Sequence, residues 1–521
     1  MRKWLPLVAV CLGTFMLLVD VTIVTVALPD MARSLHTSFA DLQWVMDIYA
    51  LVLAALLLAA GSLGDRAGHR KLYVAGLDVF AGASLACGLA DNPGVLIAFR
   101  AVQGIGGAAM LATTVALISH LYSGRDLGTA FGVWGAVSGA AAAAGPIMGG
   151  LLTQHLDWRW IFFVNLPISV LAVVMTLRYV GESRGQRRAG LDLPGLVTFT
   201  AAAGLATYAL IKGNDYGWGS ARTIGVFAGA GVALVAWIVV ELKGKAPMLD
   251  LSLFRRGTFT GVMIGALLLS GAAFSYFAYE SLWLQSMLGM GPVTAGLCFL
   301  PMSGAAFLTA GLGGRLLADR VPPGLMIGGG LLLIAAGSAA QLAVGTGSSW
   351  TVLVPGLAIS GVGVGLATPT LVSTAVAAVG YQRAGMASGA VNTARQLGNA
   401  LGIAVLGVVF HAGLTSSVRG SGVPRPVPVA DALAAGQAEG VVAAGGPAQR
   451  PELEHMAHAA FASGLQSVFL TAAVMGAVGG LAVLALVRRP SAGGGHGGGA
   501  RPGGGQVEWS GAESAPVPAE L

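Results

Sequence analysis

Leu18-Val-Asp20-Val-Thr22-Ile-Val-Thr25-Val-Ala-Leu28-Pro29 sets one carboxylate inside an apolar run that begins near residue 5. A bilayer core about 30 Å thick needs about 20 apolar residues at about 1.5 Å each, and the run from 5 to 28 meets that length. It exceeds the ~7–15 residues of a secretory signal's apolar region, so it reads as a permanent helix despite the preceding Arg2 and Lys3. The rest of the chain has the same character: of 521 residues, 55% are hydrophobic and only 10% are charged. A soluble chain carries about a quarter charged residues. A mean hydropathy of +0.76 excludes disorder as the main theme, and 80 glycines without a three-residue period exclude collagen. What remains is an all-α polytopic membrane protein. The segments are too long and too uniformly apolar for barrel strands, and backbone groups in lipid pair within a helix.

Runs of that length, cut at charges and Pro-Gly clusters, predict fourteen spans, near 5–28, 41–63, 72–90, 95–119, 128–153, 160–180, 193–212, 222–242, 257–283, 292–318, 322–344, 351–376, 385–410 and 460–487. With the N-terminus in the cytoplasm, about 20 of the 29 Lys and Arg residues fall on cytoplasmic segments and about 7 on outer ones. This asymmetry predicts a multi-pass protein of the cytoplasmic membrane with both termini inside. An odd number of spans would carry Arg488 and Arg489 outside. The net charge of +6 therefore encodes orientation, and no nucleic-acid partner is expected. Cys11, Cys87 and Cys298 all fall in apolar runs and read as small buried hydrophobes, with no disulfide or zinc spacing. Residues 411–459 predict a long outer loop holding a short helix near Pro451 to His458. The tail from Ser491, with its GGGHGGGARPGGG run, reads as disordered, and His496 alone makes no metal site.

Polar residues inside the spans carry the functional reading. A charged, unpaired carboxylate at Asp20 costs several kcal/mol, so it either takes a proton or pairs with a cation. Either behaviour suits a proton carrier; a hydrogen-bonded packing carboxylate is the alternative. Arg100, Gln103, Gly104 and Gly107 share one face of the fourth span by their i, i+3, i+4, i+7 spacing. An arginine there must line a cavity or pair with an acid, with Asp20 the preferred partner and Asp47 and Asp78 the others. A purely structural ion pair would also satisfy it. In the thirteenth span, Asn392 and Arg395 pose the same choice between site and packing, and at the end of the ninth, Glu280 and Gln285 face either a substrate or interfacial water.

At the membrane face, Gly61-Ser-Leu-Gly-Asp65-Arg66-Ala-Gly68-His-Arg70-Lys71 combines turn glycines with a carboxylate and cations. Gly314-Arg315-Leu-Leu-Ala-Asp319-Arg320 echoes it in the second half, which suggests duplicated bundles with a site between them near the midplane. Such a loop can lock one conformation through pairing with a neighbouring helix end, or act only as a positive-inside anchor. The fifth span carries Gly145-Pro146-Ile-Met-Gly149-Gly150, in which small residues allow close packing and Pro146 removes a backbone hydrogen bond, giving a candidate hinge. No nucleotide-binding loop or catalytic constellation stands out, so neither an enzyme nor a cofactor is expected.

Taken together, these motifs resemble the major facilitator superfamily, and within it the fourteen-span drug:H+ antiporters that include actinomycete antibiotic exporters. Asp20 to Pro29 resembles the first-helix signature, with Thr25 where Asn is usual. Gly61 to Lys71 is similar to the gating loop, with His69 at a position usually basic. Arg100 to Gly107 resembles the proton-transfer signature, Gly145 to Gly150 the antiporter signature, and Trp158-Arg-Trp160-Ile-Phe-Phe-Val-Asn165-Leu-Pro167 the hallmark of the branch. The resemblance implies a major facilitator fold: a six-helix bundle over 1–180, two additional helices over 181–256, a second bundle over 257–487 and a tail over 488–521. It implies a monomer that exports a small-molecule drug or antibiotic in exchange for protons. Asp20 and Arg100 would couple the proton, and Gly61, Asp65, Arg66, Gly68, Arg70, Lys71, Asp319 and Arg320 would gate. Gly145, Pro146, Gly149 and Gly150 would form the hinge, and Gln103, Glu280, Gln285, Asn392 and Arg395 are candidates to line the substrate cavity. A proton-coupled importer or a non-transporting membrane sensor would share the fold.

Overall fold

The computed structural model describes residues 2–122, 124–182, 192–244, 247, 249–316, 320–379, 384–423 and 425–487. Asp319 lies outside them. Among the described residues every regular element is helical. The first half comprises α1 (Leu5–Leu35), α2 (Phe39–Ala67), α3 (His69–Gly88), α4 (Pro93–Leu121), α5 (Gly124–His155), α6 (Trp160–Phe163) and α7 (Asn165–Tyr179). Next come α8 (Leu193–Tyr216) and α9 (Ala221–Lys243). The second half comprises α10 (Gly257–Ala273), α11 (Phe277–Ser286), α12 (Pro292–Leu297), α13 (Leu300–Leu316), α14 (Pro323–Ala340), α15 (Val354–Val379), α16 (Ala384–Gly420), the short α17 (Pro426–Ala434) and α18 (Ala438–Ala443), and α19 (Arg450–Leu486).

Thirteen segments among the described residues are long and apolar enough to cross a membrane. The predicted fifth span is also helical, as the 32-residue α5. Local chemistry explains where helices start. Ser38 and Asp41 form a reciprocal cap on α2, with Ser38 Oγ accepting from the Asp41 amide at 3.2 Å and the Asp41 carboxylate from the Ser38 amide at 3.3 Å. Asn92 caps α4 through the Val95 amide at 2.9 Å, with Pro93 next in line where no donor is needed.

Three predicted spans are interrupted. The ninth breaks between α10 and α11 at Phe274 to Tyr276, where the Ser275 hydroxyl donates to the Asn399 carbonyl at 3.2 Å. The sixth breaks at Val164, three residues before Pro167, and the tenth at Cys298 and Phe299, just before Pro301. The long outer loop needs correction. α16 continues to Gly420, α19 starts at Arg450, and the helix expected near Pro451 to His458 is simply the first turns of α19. Its Glu452, Glu454, His455 and His458 are too polar to register as a span, yet they continue the helix.

The helices of each half pack chiefly on one another, and α8 pairs with α9 while also touching α2 and α16. Backbones approach closely at small residues: a Cβ at Gly106 would stand 2.7 Å from the Gly76 carbonyl, and one at Gly330 2.6 Å from that of Gly363. On α9, Val232 is 70% exposed and Leu242 67%, as expected of a helix presented to lipid. Contacts joining the halves gather toward the end that carries the 36–38 and 287–291 turns. Here Gln285 Nε2 donates to the Val26 carbonyl at 2.9 Å, the Val293 amide to Gln154 Oε1 at 3.3 Å, and Gln43 Nε2 to the Ile403 carbonyl at 3.3 Å. Phe39 packs against Tyr279 and Phe410 with ring centroids 6.2 and 6.1 Å away. The molecule is closed at this end.

Gly150 sits at that seam, where a Cβ would lie 2.5 Å from the Pro292 carbonyl oxygen. Gly150→Val should cost about 1–3 kcal/mol through a clash with backbone that cannot rotate away, lowering the thermal midpoint of the detergent-solubilised protein. Gly304→Ala, where nothing lies within 4 Å, should leave it unchanged.

Candidate functional site

Four helices bring their polar residues to one point inside the first half. Asp20 from the middle of α1 and Arg100 from α4 are both enclosed, with side chains 0% and 2% exposed, and Arg100 Nη1 donates to Asp20 Oδ2 at 2.5 Å. Gln103, one turn along α4, donates from Nε2 to the other oxygen, Oδ1, at 2.8 Å and to Ser84 Oγ at 2.9 Å. Its own Oε1 accepts from Arg100 Nη1 at 2.7 Å. Asn165, first residue of α7, places Nδ2 3.4 Å from both Asp20 Oδ1 and Ser84 Oγ, and Arg100 Nε donates to the Val45 carbonyl at 3.0 Å. The guanidinium lies over the Tyr49 ring, 4.3 Å from its centroid, with Phe162 at 5.9 Å. A buried ion pair survives only when its remaining donors and acceptors are satisfied, and this one is held on every side.

Neither Asp47 nor Asp78 meets Arg100. Two contributors escaped the sequence reading: Ser84, because one serine in an apolar helix carries no signal, and Asn165, which stood in the quoted hallmark without a role. That hallmark now has a local explanation. Trp158 is 2% exposed and meets Phe162 edge-on, so the motif's aromatics pack beside Arg100 while Asn165 reaches the carboxylate. Thr25 turns away from Asp20, its hydroxyl donating to the Thr22 carbonyl at 2.6 Å.

Arg100 also borders a small cavity between the halves, about 40 Å³, walled by Thr22, Thr25, Tyr49, Phe274, Asn399 and Ile403 among others. Drug-sized sites measure about 300–1,000 Å³, so the chamber is contracted in this closed arrangement. None of the five expected cavity residues lines it. Gln103 is turned into the Asp20 network. Glu280 is 0% exposed, so it does not touch interfacial water; it accepts from Gln341 Nε2 at 2.9 Å inside the second half. Gln285 bridges the halves, as described. Asn392 and Arg395 are half-buried on α16, with Arg395 one turn from the lining Asn399. A polar residue in a span marks burial, but only the rotation of its helix decides whether it faces the chamber in a given arrangement.

In the gating loop, Gly68 joins α2 to α3 with φ +108°, a conformation natural to glycine. The Arg70 amide donates to Glu182 Oε1 at 3.1 Å and Arg70 Nη2 to the Leu177 carbonyl at 2.8 Å. The loop is thus latched within its own half. Arg66, Lys71 and Arg320 are exposed. The Asp65 side chain, like Asp319, lies outside what the structure describes. In α5 the helix is unbroken through Pro146. Gly145 faces Thr22, a Cβ on Gly149 would meet the Ile23 carbonyl at 2.6 Å, and Gly150 abuts α12. The stripe lets α5 lie close to α1 on one side and α12 on the other.

The sequence profile of the Major Facilitator Superfamily matches residues 10–403. Among curated relatives, the multidrug resistance protein Stp of Mycobacterium tuberculosis is 37% identical over 429 residues, covering 81% of this chain and 79% of that protein. The tetracenomycin C resistance and export protein of Streptomyces glaucescens is 36% identical, covering 78% and 76%, and the puromycin resistance protein pur8 of Streptomyces alboniger 35% identical, covering 78% and 82%. Among solved structures, an inward-facing bacterial homologue of the lysosomal transporter Spinster aligns with TM-score 0.61 at 17% identity, over 94% of this chain and 99% of that one. A peptide transporter bound to sulfate aligns with TM-score 0.62 at 14% identity, over 92% and 94%.

Removing one member of the central pair strands the other in a low-dielectric interior. Arg100→Gln should destabilise the protein by about 3–5 kcal/mol, and adding Asp20→Asn should restore much of that loss. Thermal unfolding in detergent measures it; two losses that simply add would mean the residues do not act as a pair.

Proposed function

The chain belongs to the Major Facilitator Superfamily, among its multidrug and antibiotic resistance exporters, and on that premise we propose that it is a proton-coupled antiporter carrying a drug or antibiotic outward across the cytoplasmic membrane. The observation that carries the coupling is the enclosed Asp20–Arg100 pair, whose cation borders the chamber between the halves. A proton arriving on Asp20 neutralises the carboxylate, frees Arg100 and Gln103 from it, and leaves net positive charge beside the chamber. Loss of that proton restores the pair. Proton and substrate are thereby linked, because each state of the pair offers the chamber wall a different electrostatic surface.

In this reading the halves rock about the chamber as two six-helix bundles, with boundaries near residues 180 and 257 and with α8 and α9 as lipid-facing additions. The glycine stripe of α5, Gly145 to Gly150 with Pro146, is the surface on which they pivot. The loop from Gly61 to Lys71, with Asp65, Arg66 and the second-half Arg320, closes the cytoplasmic end in the alternate state. Apolar and aromatic walls such as Phe274, Phe277 and Ile403 suit a lipophilic aromatic compound, with Asn399 as a polar handle.

Energised inverted membrane vesicles with a pH-gradient dye test this directly. Adding a panel of lipophilic antibiotics should discharge the gradient in the wild type, and Asp20→Asn should abolish the response. Undiminished discharge by the variant would defeat the role given to Asp20.

A further inference from the structure

We propose that Asp47 is a second proton-binding carboxylate, whose neutralisation allows the outer seam between the halves to close; the proposal rests on the proton-coupled reading above. Asp47 is 0% exposed, and neither of its oxygens has a hydrogen-bond partner among the described residues. Asp20, also 0% exposed, has three polar groups bonded to it; Asp47 is the same chemical group with none. An ionised carboxylate left bare in such a place is far costlier than a protonated one, so in this closed arrangement the group carries its proton.

Its position gives that proton a task. Gln43, Asp47 and Ala50 fall on one face of α2 by their i, i+4, i+7 spacing. Gln43, one turn outward, clasps the Ile403 carbonyl of α16, and Ala50, one turn inward, lines the chamber with Ile403 and Asn399. Asp47 therefore lies between the clasp and the chamber, along the seam that α2 forms with α16. A hydrophilic carboxylate there is enclosed only while the seam is shut. Rocking α2 away from α16 gives it access to outer water, where it loses or gains a proton. Closing the seam again requires the neutral form.

Among the described residues no cation bonds to Asp47, and Arg395, a half-buried cation of α16, stands one turn inward of the lining Asn399. Arg100 on α4 and Asp20 on α1 hold each other, and Arg100 also takes the Val45 carbonyl of α2. On α16, His411 is bonded to Asp431 at 2.6 Å. Tyr279 on α11 gives its hydroxyl to the Ile403 carbonyl at 2.7 Å, and Tyr208 on α8 shares a hydrogen bond with Tyr216 at 2.9 Å. Lys212 stands one turn of α8 beyond Tyr208 toward the outer end, and Asp78 on α3 is exposed.

The test reads the seam itself rather than transport. Spin labels on Ser34→Cys and Ser416→Cys, both exposed near the outer ends of α1 and α16, report the separation of the halves in the full chain in lipid nanodiscs. The labelled wild type should lengthen this distance as the buffer is taken from acid to alkaline. Asp47→Asn should stay short throughout, and Asp47→Glu should keep the response with a shifted midpoint. A wild-type response in Asp47→Asn overturns the proposal while leaving proton coupling through Asp20 intact. A wild-type distance that ignores pH overturns it as well, and the vesicle assay then decides separately whether export is proton-coupled. If Asp47→Asn does not fold, an unchanged midpoint in Asp47→Glu overturns it by itself.

Discussion

A carboxylate and a guanidinium enclosed together in the membrane interior set the terms for the rest of this molecule. Each alone would be expelled from the interior or forced to change its protonation, and together they persist only because Gln103, Asn165, Ser84 and the Val45 carbonyl satisfy what the pair leaves over. That requirement draws polar side chains from α1, α3, α4 and α7 to a single point, and a carbonyl from α2. The packing of the first half is thus organised around a charge pair as much as around its apolar contacts.

Between the halves the opposite rule holds. Their seam contains few anchoring polar bonds among the described residues and much close approach at glycine, as at Gly150 on α5 against Pro292, Gly296 on α12 against the Pro146 carbonyl, and Gly407 beside Gln43. Lipid is as apolar as leucine, so helices in a bilayer gain little by burying large side chains against each other, and close backbone contact does the work instead. Such a surface holds firmly when seated but offers no deep interlock. Two bodies joined in this way can part at one end and meet at the other without repacking their interiors.

The membrane class, the helix positions and the Asp20–Arg100 partnership were legible in the chain, because each rests on a rule that acts locally or by exclusion: length of apolar run, periodicity, and the cost of a lone charge in lipid. The breaks at Ser275, Val164 and Phe299 were not, since averaging hydropathy over a span smooths across them. The outer helices were missed for a related reason, as the charged first turns of α19 conceal a helix that is continuous to Leu486. Which polar residues line the closed chamber was not legible either. Glu280 and Asn399 are both polar residues within spans, and only the rotation of α11 and α16 in the assembled molecule sends the first into the second half and the second toward the chamber.

The contrast between Asp20 and Asp47 shows why burial alone does not define a role. Asp20 is surrounded by donors and paired with Arg100, so its oxygens are met on every side. Asp47 has no donors, so its neutral form is the one the same arrangement accommodates. Two carboxylates on adjoining helices are thereby enclosed in one conformation on different terms, one with partners and one without. In the proposed antiporter that difference lets one rocking motion act on two groups separately, through the donors gathered around Asp20 and through the seam that closes over Asp47.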